Sequence, residues 1–299
     1  MKLTSPVSRR LAAAAITCTA ILLPAAALAS AGPAAAAGSR ARPAPPVTAY
    51  VTNSGSGTVT PINTTTGKAG KAGKVGKGPG AIAITPNGKT AYVITRRGVV
   101  PISTATRKAG KAIMVGKGPV TIAITPNGKT AYVVSNPDTV RGKVYPIDTA
   151  TNKVGKAIKV GRFPSRIIMA PDGKTAYVVN TRSVSPINTV TNTADRRIRV
   201  GGTNLDAVAI TPNGKTVYVV STGFGSAPGD TVTPINTATS TAGKAIKVGK
   251  MPEAIAITPN GKTAYVTSNR GVVPIRTATN TALKAIKVSP GALAIAITP

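Results

Sequence analysis

The hexapeptide Thr-Pro-Asn-Gly-Lys-Thr occurs unchanged at 85–90, 125–130, 211–216 and 258–263, with Ala-Pro-Asp-Gly-Lys-Thr at 170–175. Each copy follows a short apolar run such as Ala81-Ile82-Ala83-Ile84 and precedes a Tyr-Val pair. Proline fixes φ at the second turn position, Asn or Asp suits the third, and Gly accepts the left-handed backbone that follows. This is the chemistry of a three-residue hairpin with a glycine bulge, so each copy predicts two antiparallel strands.

The hairpins are part of a longer period. From Val47 onward the repeat tyrosines stand at Tyr50, Tyr92, Tyr132, Tyr177, Tyr218 and Tyr265, spaced as the blades of a propeller are, four strands to a blade. The first strand of each unit is the apolar run 81–84, echoed at 122–124, 167–169, 207–210, 254–257 and 294–297. Being apolar on both faces, it reads as an innermost strand buried between neighbouring blades. The second is Ala-Tyr-Val. The third runs Thr58-Val59-Thr60-Pro61-Ile62, and the fourth is the 71–75 type, each with five further copies.

Six of each strand predict an all-β, six-bladed β-propeller of four-stranded antiparallel blades. The repeats open on a second strand (Ala49-Tyr50-Val51) and close on a first one, so the ring is expected to be closed by the C-terminal strand joining the N-terminal blade, which hides open edges. A piece of a longer, seven-bladed chain is the alternative.

Tyr50-Val51-Thr52-Asn53, the Thr-Val-x-x-Ile-Asn strand and Thr-Ala-Thr-Asn at 149–152 and 277–280 together resemble the YVTN-type β-propeller repeat. That resemblance spans 47–299 and implies kinship with secreted and surface-layer propellers of bacteria and archaea. It names no ligand. One departure is Pro61, Pro101, Pro146, Pro186, Pro234 and Pro274, where the family usually carries an apolar strand residue. Proline removes a ladder donor, so a bulge or an early end of pairing is expected there in every blade.

Residues 1–37 read as a secretory signal peptide. Lys2, Arg9 and Arg10 precede an apolar core from Leu11 to Leu23, and small-residue cleavage sites follow at Ala27-Leu28-Ala29 or 35–37. Thirteen apolar residues are too few to span a bilayer, so no transmembrane segment is expected in the mature chain. Residues 38–46 form a Pro-rich leader, and 47–299 the propeller. The expected location is secreted or associated with the cell surface, as a monomer. Cys18 lies inside the apolar core without a lipoprotein context, so the cleaved chain has no cysteine and with it no disulfide, thiolate site or cysteine nucleophile.

Removing the signal peptide's three basic residues from 38 leaves 35 against 7 acidic ones, a net charge of +28. Such a field attracts polyanions. The loops between second and third strands, and between fourth and next first strands, share one face and carry the length variation (compare 95–98 with 135–142 and 221–230). That face gathers the candidate anion-binding residues Lys77, Arg96, Arg97, Lys117, Arg141, Arg162, Arg166, Arg182, Lys250 and Arg270. The fourth-strand lysines (Lys71, Lys74, Lys156, Lys159, Lys244, Lys247, Lys284, Lys287) read instead as edge charges that deter aggregation. A second constellation, Arg166 with Asp206 and Glu253, sits at the start of three successive inner strands near the mouth of the central channel. Two carboxylates there could hold a hard cation, or pair with the arginine; no metal site and no cofactor is assigned.

The chain has no His, which leaves no imidazole base and no Ser-His pair. The expected function is therefore a non-catalytic binding or scaffold module at the cell exterior, engaging envelope proteins or anionic polymers through the variable basic loop face. Nonspecific binding of nucleic acid is a second reading, weakened because only Phe163 and Phe224 are aromatic in the face loops. A lactonase- or lyase-like enzyme at the channel mouth is the third.

Overall fold

The computed structural model describes residues 47–136, 141–202, 204–224, 227–288 and 292–298. Residues 1–46, with Cys18 and the expected cleavage sites, lie outside the described residues, as do 137–140 of the 135–142 loop. Among the described residues there is no helix, and the strands form six antiparallel sheets of three to five strands in a propeller-like arrangement.

Every sheet is a meander. The fourth, for example, orders Arg166–Met169, Thr175–Asn180 and Ser183–Asn188 side by side, then two short outer pieces, Thr193–Ala194 and Ile198–Arg199. The hairpin at the repeated hexapeptide is four residues long, not three. Thr85 N–H donates to Thr90 O at 2.9 Å, and inside that pair Gly88 N–H closes a turn on Thr85 O at 2.7 Å. The longer loop is held because the Thr85 hydroxyl accepts from Thr90 N–H and Asn87 Oδ1 accepts from Lys89 N–H. Gly88 is left-handed (φ 69°), as its place in the turn requires.

The repeat prolines act on one side only. Towards the second strand the ladder is continuous, with Tyr92 opposite Pro101 and Tyr177 opposite Pro186. Towards the outer strand pairing breaks, because proline offers no N–H. In the fourth sheet Ile187 and Asn188 pair with Ala194 and Thr193, and Ser183 and Val184 pair with Arg199 and Ile198. Between them Asp195 N–H still finds Pro186 O at 2.9 Å, but Arg196 and Arg197 leave the ladder and are exposed. The expected bulge is thus real and confined to the outer edge.

Consecutive sheets pack face to face through five apolar seams. The two-residue period of the second strand supplies both sides: Ala131 and Val133 face the preceding sheet, Tyr132 and Val134 the following one. The second and third strands, not the first, are the deepest. Val93, Val133, Val178 and Val219 are fully buried, whereas Ile84 of a first strand is 38% exposed. First strands contact one another in chain order and stay half-buried along much of their length.

The first sheet differs. Among the described residues the strand paired with Thr48–Asn53 is Thr58–Asn63, and Val51 is 44% exposed where its five repeat counterparts are fully buried. The ladder expected between 294–297 and the Tyr50 strand is not formed; residues 292–298 lie outside any strand.

Candidate anion-binding cleft

The loops expected to share a face do meet. Arg96 N–H donates to Lys77 O, Asn269 N–H to Lys250 O, and Thr181 N–H to Arg162 O, so each outer-to-inner loop is tied to the neighbouring second-to-third loop. The ten basic candidates do not form one patch. Arg96 lies over Gly78, Arg270 lies over Gly249, and the Ser135 hydroxyl holds Lys117 by its carbonyl. Arg97 stays near that second-sheet turn, its N–H on the Thr95 hydroxyl. Only Arg141, Arg162 and Arg182 come together.

They come together with residues that the sequence reading passed over. A cleft of about 590 Å³ between the third and fourth sheets is lined by Arg141, Lys159, Arg162, Arg196 and Arg197. A second, of about 1200 Å³, continues from the same Arg196-Arg197 bulge towards the fifth sheet and adds Arg182, Arg199 and Phe163. The bulge is therefore the wall between two open clefts, and its two guanidinium groups serve both. Six of the chain's sixteen arginines are here, facing one acidic lining residue, Asp195. Among the described residues no ion pair reaches any of the six; the ion pair present is elsewhere. Exposed, uncompensated cations on both sides of a concave surface focus a positive field into it.

Asn180 underlies the larger cleft. It is 1% exposed, and its amide nitrogen donates to Val178 O and Ser183 O at 3.1 Å and to Ser185 Oγ at 3.0 Å. Two carbonyls fix the nitrogen on that side, which leaves Oδ1 without a partner. Three counterparts of Asn180, at Ser135, Ser221 and Ser268, are smaller and carry no amide.

A signal for this cleft was present in the sequence. The outer strand reads Lys-Ala-x-Lys at 71–74, 156–159, 244–247 and 284–287, and Lys-Ala-Ile-Met at 111–114, but Arg-Arg-Ile-Arg at 196–199. The loop position of Arg162 is Lys77, Lys117 and Lys250 in other repeats. Ranking cations by face, rather than by departure from the repeat, concealed it.

The channel-mouth residues do gather. Arg166 Nη2 stands 3.2 Å from Asp206 Oδ1 and 3.3 Å from Oδ2, both side chains a little over one-third exposed. Burial, and then the charge of Asp206, raise the Glu253 carboxyl above its ordinary value. Among the described residues no group of three acidic, His or Cys side chains converges that could hold a metal ion.

In comparisons with known proteins, hydrazine synthase from Kuenenia stuttgartiensis is similar at 25% identity over 77% of this chain and 73% of that one, with a TM-score of 0.67. A functionally unknown protein from Desulfotomaculum acetoxidans has the same TM-score at 17% identity, over 82% of each chain, a likeness of fold alone. No curated protein matches. The family described as "Domain of unknown function (DUF5074)" matches residues 50–223, more than half of the chain and inclusive of the arginine bulge, and to that family the chain belongs.

Proposed function

We propose that this protein is an exported, non-catalytic six-bladed β-propeller of the YVTN type, acting as a binding module at the cell exterior for an anionic partner. The observation that carries the reading is the convergence of six arginines, without an ion pair among the described residues, on the clefts either side of the 195–197 bulge. A general solubility charge would be spread over the rim like the repeat lysines. This one is concentrated where the lysines were replaced. Six sheets, five seams and a bare face on the first sheet support a ring completed by residues 294–297 beside the Tyr50 strand.

The test is binding of purified residues 38–299 to duplex DNA, single-stranded DNA and an anionic wall polymer, with a neutral glycan as control, across a salt series. A site retains one polyanion near physiological salt and loses it on Arg196→Ala/Arg197→Ala/Arg199→Ala substitution. Loss of every polymer together as salt rises, unchanged by those substitutions, would leave only a diffuse field.

A second reading is favoured by one observation, the raised Glu253 carboxyl near Asp206, which itself pairs with Arg166, since perturbed carboxyls collect at reactive sites. One structural neighbour is an enzyme by name. Alanine at both Asp206 and Glu253 would abolish an enzyme's turnover and leave the binding module's affinity intact.

A further inference from the structure

We infer that the two clefts hold a base-free phosphodiester polymer, a polyol phosphate lying across the Arg196-Arg197 bulge; this rests on the anion-binding reading above and specifies its ligand.

The repeats provide an internal control. Five outer strands solve the same structural problem, an exposed edge interrupted opposite proline, with Lys or Met and a small Ala or Gly between. The fourth sheet has the same break and the same pairing, so the fold makes no demand there that Lys-Ala-x-Lys would not meet. Edge protection does not explain the change either, because lysine protects an edge at least as well. What arginine adds is a planar fork of donors that grips two oxygens of one phosphate, and weaker hydration, which makes contact with an oxyanion less costly. Replacement at Arg162, Arg196 and Arg199, with a new guanidinium at Arg197, therefore selects for oxyanion geometry over charge alone.

Two clefts sharing one wall call for an extended ligand. A single anion would occupy one of them, whereas a chain of phosphates crosses the bulge and meets arginines on both sides. A phosphodiester chain meets this requirement, with one phosphate on each side of the bulge. Bases are poorly served, since Phe163 is the aromatic side chain lining the clefts and stacking of successive bases needs more than one.

The experiment measures affinity of the whole secreted protein for poly(glycerol phosphate), for polyglutamate of equal charge and for single-stranded DNA of equal phosphate number, at near-physiological salt. The discriminating variant is Arg196→Lys/Arg197→Ala/Arg199→Lys, which installs the motif of the sibling strands, keeps the fold and changes the charge by one. The wild type is expected to prefer poly(glycerol phosphate) over polyglutamate by about tenfold or more, and the variant to lose about tenfold on the phosphate polymer but under about threefold on polyglutamate. Equal binding of the two polymers, tighter binding of DNA, or a variant that binds like wild type overturns the inference. If that variant binds like wild type while the triple alanine weakens every polyanion, the anion-binding reading stands and the phosphate specificity falls. If neither variant changes anything, both fall.

Discussion

The Tyr132 hydroxyl donates to Asn192 Oδ1 at 2.6 Å, joining the third sheet to the turn beyond the third strand of the fourth, and also lies 3.2 Å from Thr189 O. The same reach connects Tyr92 to Asn152 at 2.9 Å and Tyr218 to Asn280 at 2.6 Å. Each Asn is left-handed (φ 55° at Asn192, 58° at Asn152 and 53° at Asn280), a conformation Asn tolerates better than most residues. Three of the five seams are thus apolar in the middle and closed at one end by a tyrosine latch. Burial pushes the Tyr132 and Tyr218 phenols up to about 12.

Removing one latch should cost measurable stability without loss of fold. Tyr132→Phe leaves the Asn192 acceptor at a part-buried seam and is expected to cost about 1–2 kcal/mol, roughly 2–6 °C in Tm for a domain of this size. In the seam from the fourth to the fifth sheet the latch position is Ser240, also left-handed (φ 53°), so Ser240→Asn supplies the missing acceptor to Tyr177 and should raise Tm. Differential scanning calorimetry reads both. A Tyr132→Phe protein melting with wild type would show that the latch contributes nothing net.

Glu253 gives the stability a pH dependence of definite sign. Its folded carboxyl is raised, by burial first and then by Asp206, so the folded state binds a proton more readily than the unfolded chain. The stability it contributes is complete below the ordinary glutamate value and is lost as pH rises through the raised one. Glu253→Gln abolishes that loss. The variant is expected to gain over wild type at pH 7 and to converge on it in acid, below about pH 4. Urea unfolding at the two pH values measures the difference; an advantage equal in acid and at neutrality would mean that the charge is not its source.

How much of this was legible in the residues alone depends on the element. The repeat period, the meander and the strand types follow from turn chemistry, which is local, so Thr-Pro-Asn-Gly-Lys-Thr announces them directly. The loop length did not follow, because the Thr85 hydroxyl substitutes for a backbone acceptor and lets the turn lengthen by a residue. Nor did burial: an apolar Ala-Ile run looks like the most protected strand, but its depth is set by what lies on its far side. The cleft is non-local. Arg141, Arg162, Arg182 and Arg197 belong to four separate segments that meet only when two seams form, and Arg197 projects only because Pro186 breaks the outer ladder.

The proposed ring closure has a register that can be tested covalently. In the sibling sheets Ile84 stands opposite Ala91 and Ile257 opposite Ala264, which maps Ile297 onto Ala49. Directly opposed residues in such a pair have Cα atoms roughly 4.5–5.5 Å apart, within disulfide reach. The doubly substituted Ala49→Cys/Ile297→Cys protein is expected to oxidise to a monomer with a closed loop, and to gain a few kcal/mol (about 2–4) over its reduced form. Non-reducing electrophoresis decides: disulfide-linked dimers alone would place the C-terminal run on a second copy, and free thiols alone would leave the ring open.

Phe163 allows stability and binding to be separated. It is 48% exposed and left-handed (φ 47°), at a repeat position occupied elsewhere by Gly78, Gly118, Asn204 and Met251, all left-handed as well. A large apolar residue there incurs backbone strain of about 1–2 kcal/mol and, being half exposed, recovers only part of it by packing. Phe163→Gly relieves the strain while giving the unfolded chain more freedom, so the net change in stability is expected to fall within about 1 kcal/mol of zero. Binding should not be neutral. Phe163 lines the larger cleft beside Arg162 and Arg182, where an aromatic face can cover the carbon backbone of a polymer whose phosphates the arginines hold. Affinity for poly(glycerol phosphate) is expected to drop roughly three- to tenfold, the effect of one partly buried aromatic side chain. Unfolding and binding measured on the same preparation decide the point: a variant that loses stability but no affinity would make Phe163 a packing residue, and the side of the cleft it lines would play no part in holding the ligand.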